Sequence, residues 1–196
     1  MRYSTEHKLE TRMRVLNAAG EIFRQEGYGG SGIDALTKAA GVTNGAFYGH
    51  FKSKGEAFRA AVLAGLEELR LGISNLKAQK GRGWLATFVG YYLGPKLTCA
   101  LGQSCALPSL SPDVMRADTA TRVAYEVELR RLMEEVASGL TGNSAMARED
   151  DAIALLALLS GGVTMARAVS DPVLSARIAE AIERKVGAIA SSVKQD

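Results

Sequence analysis

A chain of 196 residues can bury a real core, as one domain or two small ones, and 47% of this chain is apolar with only four prolines. Rich Ala, Leu, Arg and Glu content and the lack of any run of period-two alternation point to an all-α protein. The formal charge of +3 sits wholly in the N-terminal third, where residues 1–60 hold nine Lys/Arg against six Asp/Glu and the remainder holds fifteen of each. Such a modest basic excess fits a nucleic-acid face or a solvated helix surface. Two cysteines, Cys99 and Cys105, make no disulfide framework and have no zinc-ligand spacing, which fits a reducing cytoplasm. The charged start MRYSTEHKLETRMR lacks the apolar centre of a secretory signal, and the run Ala152 to Ala166 falls short of the roughly 20 residues that span a bilayer. It reads as a buried helix.

In chain order, Met13, Leu16, Ala19, Ile22 and Phe23 form a 3.6-residue stripe over Leu9 to Gln25, and Gly27 stops that helix. Ser31, three positions before Asp34, resembles a capping box for a short helix carrying Ile33, Leu36 and Ala40 and ending at Gly41. Thr43 caps a second short helix. Ser53 and Glu56 form another box, opening a long helix with Phe58, Val62, Leu66 and Leu69. Two short helices joined by a tight glycine-containing turn, at about 32–51, make a helix-turn-helix. The pattern lapses at KAQKGRG, Lys77 to Gly83. Beyond it helices are expected at about Gly83–Cys99, Ser111–Gly139, Ala147–Val169 and Pro172–Ser192, with Pro112 in the first turn of a helix capped by Ser111.

The stretch GVTNGAFYGHFKSK, Gly41 to Lys54, has two faces. Phe47 and Phe51, four apart, turn toward Ile33, Leu36 and Val42 as core. On the other face a helix entering a DNA major groove needs small residues near the backbone and a few polar groups for base edges and phosphates. Thr43 and Asn44 stand at the helix tip; Asn44 can contact a base bidentately, with adenine its natural partner. Gly45 permits close approach, and Tyr48, His50, Lys52 and Lys54 carry donors suited to phosphates.

The segment from about Leu9 to Leu69 resembles the DNA-binding domain of TetR/AcrR-type transcriptional regulators. The residues that carry the resemblance are LNAAGEIFRQEGY, SGIDALTKAAGVTNGAFYGHF and KSKGEAF. It implies a DNA-binding domain at 9–69 and an effector-binding and dimerisation domain at 70–196. It also implies phosphate contacts from the positions of Tyr48 and Lys54, and a base- and backbone-facing tip at Thr43, Asn44 and Gly45; Ser31 and His50 complete the expected DNA contacts. Gly49 departs from the larger side chain common at its place.

The resemblance further implies a homodimer on a palindromic operator, built on the last two helices through residues such as Leu155, Leu159, Val163, Ile178, Ile182 and Val186. It implies a small apolar or aromatic effector held among Trp84, Phe88, Tyr92, Cys105 and Tyr125, although any helical bundle needs such residues for its core. Cys105, in GQSCALPSLSPD, has an alternative role as a redox or electrophile sensor, and a constitutive DNA binder without effector is a further alternative. An enzyme is disfavoured. The two histidines are His7 and His50, away from the C-terminal region, and neither a metal cluster nor a phosphate-cradling loop is apparent, so no catalytic, metal or cofactor residues are expected.

Overall fold

The computed structural model describes residues 5–142 and 144–191. Among them the regular structure is helical, without strands: α1 (Thr5–Gly30), α2 (Ile33–Ala40), α3 (Asn44–Tyr48), α4 (Lys54–Lys80), α5 (Trp84–Leu93), α6 (Pro95–Thr98), α7 (Ala106–Val114), α8 (Thr119–Ala137), α9 (Ala145–Ala168) and α10 (Pro172–Ser191). The all-α class expected from composition is therefore what forms. Two compact units divide the chain, one made of 1–65 with 100–125, the other of 66–99 with 126–196.

In the first unit, Val15, Ala19 and Phe23 of α1 meet Leu36, Phe47, Phe51, Ala57, Phe58 and Leu110 in one buried cluster. Phe23 and Phe58 pack edge to face with centroids 5.2 Å apart. Gly27 breaks α1 as expected, at φ 72° and ψ 169°, before helical bonding resumes to Gly30. Gly41 closes α2 in the left-handed region, its N–H bonding to Lys38 O while Val42 N bonds to Thr37 O at 3.0 Å. The segment 100–114 docks on α1 through polar contacts. Arg24 Nε donates to Gly102 O at 2.6 Å, Gln103 Nε2 to Glu21 Oε1 at 2.7 Å, and Tyr28 N to Asp113 Oδ2 at 2.8 Å. Gly65 of α4 and Ala106 of α7 come so close that a Cβ built at 65 would lie 2.3 Å from the Ala106 Cβ.

In the second unit α9 packs on α10 and on α5, and Leu155, Leu159, Val163, Phe88 and Val186 are buried. Gly162 lets α10 approach closely: a Cβ there would lie 2.6 Å from Ile182 Cγ1. Arg167 near the end of α9 donates to three carbonyls around the end of α6, from Nη1 to Lys96 O (2.9 Å) and Leu97 O (2.8 Å) and from Nη2 to Cys99 O (2.6 Å). α9 is long and apolar enough by composition to cross a membrane, and Ala152, Leu155, Leu159, Val163 and Ala166 along it are buried.

Several local expectations need correction. Ser31 does not cap α2: the cap is Gly32, and the Ser31 hydroxyl turns back to Gly27 O at 2.9 Å. The helix expected over Gly83–Cys99 breaks at Gly94, where the backbone turns to φ −106° and ψ −100° ahead of Pro95. Pro112 lies inside α7, which begins at Ala106, so Ser111 is no cap; its hydroxyl instead donates to Leu107 O. The helix expected over Ser111–Gly139 is two, because Asp118 starts α8 afresh, its carboxylate accepting from Thr121 N at 2.7 Å. That bond, the largest cause, holds the Asp118 carboxyl below its usual pKa.

Candidate nucleic-acid interface

The helix-turn-helix is α2, the Gly41–Thr43 turn and α3. Thr43 caps α3 with its hydroxyl, accepting from Ala46 N at 3.2 Å. Five residues cannot sustain a helix alone, so α3 depends on its anchors. Phe47 and Phe51 are fully buried, their ring centroids 5.7 Å apart. They tilt the opposite face outward, where Thr43, Asn44, Gly45 and Tyr48 are exposed, Tyr48 by 55%.

The remaining expected contacts are arranged less simply. Asn44 Nδ2 donates to Asp34 Oδ1 and Asn44 Oδ1 accepts from the Thr37 hydroxyl, both at 2.9 Å. Ser31 is 2% exposed, with its hydroxyl held inward. Lys54 Nζ donates to Tyr28 O at 2.6 Å and Ser31 O at 2.7 Å and lies 4.2 Å from the centre of the Tyr28 ring. At the other end of the motif, Arg12 Nη1 donates to His50 O at 2.7 Å, and its guanidinium covers the Phe51 ring at 4.4 Å. The sequence reading missed Asp34, Thr37, Lys8 and Arg12. Only charge at helical spacing marked Lys8 and Arg12, Asp34 stood out only as a member of a capping box, and nothing local marked Thr37.

Burial first, then the charges of Lys8 and Arg12, hold the His50 pKa below its usual value. Well above the ordinary histidine value the ring is mostly uncharged in both the folded and the unfolded chain. As pH falls below the ordinary histidine value of about 6.5, the unfolded chain takes up the proton first, so folding stability is lost toward the lower folded pKa. Urea titrations of the wild type and His50→Gln at pH 7.5 and pH 5.5 should show the wild type losing more stability on acidification. Equal losses would remove His50 from the account.

Of the residues assigned to an effector, Trp84, Phe88 and Tyr92 line up at four-residue steps along α5 in the second unit, all buried, with centroids 6.3 and 5.4 Å apart in sequence. The Trp84 indole donates to Gly139 O at 2.9 Å. Cys105 and Tyr125 belong to the first unit. Cys105 is buried just ahead of α7, and the Tyr125 hydroxyl shares a 2.7 Å hydrogen bond with Ser111, burial pushing the phenol pKa up.

An all-helical chain whose helix-turn-helix presents a polar face over a buried aromatic anchor has the architecture of a helix-turn-helix transcription regulator. Residues 15–61 match the family model described as bacterial regulatory proteins, tetR family. Over those residues the chain is similar to that family.

Among curated relatives, it is 39% identical over 70 residues to the HTH-type transcriptional regulator AcrR of Shigella flexneri, covering 36% of this chain and 32% of that protein. It is 29% identical over 125 residues to the HTH-type transcriptional repressor DhaR of Mycobacterium sp. (strain GP1), covering 63% and 60%. The match to AcrR thus spans about a third of that relative's length.

Similarity of fold runs through most of the chain. It superposes on SCO4454, a TetR-family regulator from Streptomyces coelicolor, with a TM-score of 0.78 at 18% identity, covering 95% of this chain and 97% of that one. On the reduced form of E. coli NemR the TM-score is 0.76 at 20% identity, covering 92% and 97%.

Proposed function

We propose that this chain is a ligand-responsive repressor that binds a palindromic double-stranded DNA operator as a homodimer in the cytoplasm and is released by a small apolar or aromatic effector. The observation that carries the reading is the exposed face of α3: Thr43, Gly45 and Tyr48 above buried Phe47 and Phe51, with His50 and Lys52 following, inside the region matched to the family. A tyrosine hydroxyl, an imidazole and an ammonium suit phosphate oxygens, and the glycine leaves room for the DNA backbone. One such helix reads few base pairs. Two-fold symmetry doubles the site into a palindrome, and α9 and α10 leave Ile153, Met165, Val173 and Leu174 exposed as apolar material for a second copy.

Repression follows if the docked dimer covers a promoter. Release requires an effector that binds better to a form with mismatched half-site spacing; the buried aromatic row of α5 is our candidate lining for it. Selection from random duplexes with the purified chain, followed by sedimentation of the complex, tests the reading. A palindromic motif bound by two chains is expected. Enrichment of no sequence, or a monomer on a single half-site, would overturn it.

Lys54 enters as a residue with two duties. An ammonium has three donors, and two serve the carbonyls of Tyr28 and Ser31; the third is assigned here to a DNA phosphate. Lys54→Ala should therefore cost about 1–2 kcal/mol of stability, weaken binding to every sequence, and reduce the salt slope of affinity by about 1 for each subunit. A salt titration with an unchanged slope would leave Lys54 only its structural duty.

A further inference from the structure

Bidentate recognition of adenine occupies both ends of an asparagine amide, the oxygen accepting from N6 and the nitrogen donating to N7. In this protein both ends of Asn44 are already engaged. A carboxylate can only accept, so the nitrogen faces Asp34, and the oxygen is left to the Thr37 hydroxyl. Thr37 is buried, and its hydroxyl, with a single proton to give, lies closer to Asn44 Oδ1, at 2.9 Å, than to Asp34 O, at 3.2 Å; the accepting Asp34 and the donating Thr37 stand on one turn of α2. Rotating Asn44 toward a base would break both bonds and uncover the exposed Asp34 carboxylate beside the phosphates of DNA. The opposing costs fall on the bound state, where a base-reading residue must gain.

We propose that Asn44 is a positioning residue: it clamps the first turn of α3 to α2 through Asp34 and Thr37, and the operator sequence is read by other groups on that helix. The inference rests on the DNA-binding reading above. The clamp has a clear mechanical purpose. Phe47 and Phe51 hold the inner face and far end of α3, and the Asn44 bonds add a side-chain tie to α2 at the tip carrying Thr43 and Gly45, beside the backbone bond from Val42 N to Thr37 O. Fixing it sets the direction from which Thr43, Gly45 and Tyr48 approach the groove.

Two sets of measurements on the full chain test this. In the free protein, Asn44→Ala and Thr37→Val should lower the urea midpoint together by less than the sum of their separate effects, since each removes the same bond; additive losses would overturn the clamp without reference to DNA. In selections from random duplexes, Asn44→Ala and Thr37→Val should return the wild-type motif at every position, with affinity lower by about tenfold and an unchanged salt slope. Asn44→Asp alone opposes two carboxylates and should bind worse still. Adding Asp34→Asn restores the bond with its polarity reversed and should recover most of the loss. A base preference lost at one position of each half-site in Asn44→Ala but kept in Thr37→Val would overturn the inference, as would failure of the exchanged pair to recover. Wild-type protein that enriches no sequence would instead remove the DNA-binding reading, leaving the free-protein result to decide the clamp.

Discussion

Phe47→Ala should lower the unfolding free energy by about 3–5 kcal/mol, as deletion of a fully buried ring does in close-packed cores, and should abolish sequence-specific DNA binding. The two effects share one cause. Phe47 is fully buried in the cluster formed by α1, α2 and α4, near Phe51 and edge-on to Tyr48 at 5.4 Å. It belongs to a five-residue helix that has almost no stability of its own, so removing it leaves α3 without an anchor at its centre. Phe47→Leu, which keeps most of the volume, should cost less than about 1.5 kcal/mol and retain binding. Urea titration and a mobility-shift assay measure the two consequences. A Phe47→Ala chain that keeps wild-type affinity would show that α3 is held by something other than its aromatic face.

Gly65→Ala is the second large effect, and its sign runs against helix propensity. Replacing a helical glycine by alanine ordinarily stabilises by about 1 kcal/mol. Here the new Cβ would stand 2.3 Å from the Ala106 Cβ, far inside contact distance, so α4 and α7 must separate. Overpacking of this kind costs about 1–3 kcal/mol, and a displacement this large places it toward the upper end. The thermal midpoint should fall. Ala106→Gly should restore it, because the next atom met is the Ala106 Cα at 3.8 Å, an ordinary contact. If the double substitution stays as unstable as Gly65→Ala, the close approach of these helices is not what the glycine serves.

The elements most legible in the sequence were those with local punctuation. Thr43 and Gly41 do as caps what their residue types propose, and Ser53 accepts from Glu56 N at 3.1 Å while Glu56 reaches back to Lys52 N, one residue beyond the ideal box. The inward face of Phe47 and Phe51 also followed from spacing alone. Less legible was whatever depends on a partner distant along the chain. Asn44 reads as free at a helix tip until α2, seven and ten residues earlier, folds against it. The same holds for Lys54, whose carbonyl partners lie 26 and 23 residues back. That 106–114 forms a helix packed with α1 depends on Arg24, Gln103 and Asp113, whose pairings no spacing encodes. Two misread boundaries, at Gly94–Pro95 and Asp118, did have signals in a glycine-proline step and an acidic cap.

The arginine that reaches from α9 to the carbonyls of Lys96, Leu97 and Cys99 has a consequence for how the second unit opens. A helix of four residues has too few internal bonds to report its own stability. Its terminal carbonyls are satisfied from a residue some seventy positions later, so the persistence of this turn is a property of α9. In hydrogen exchange, the amides of Leu97, Thr98 and Cys99 should lose protection in the same cooperative event as those around Arg167, and Arg167→Met should release them while leaving the amides of α5 protected.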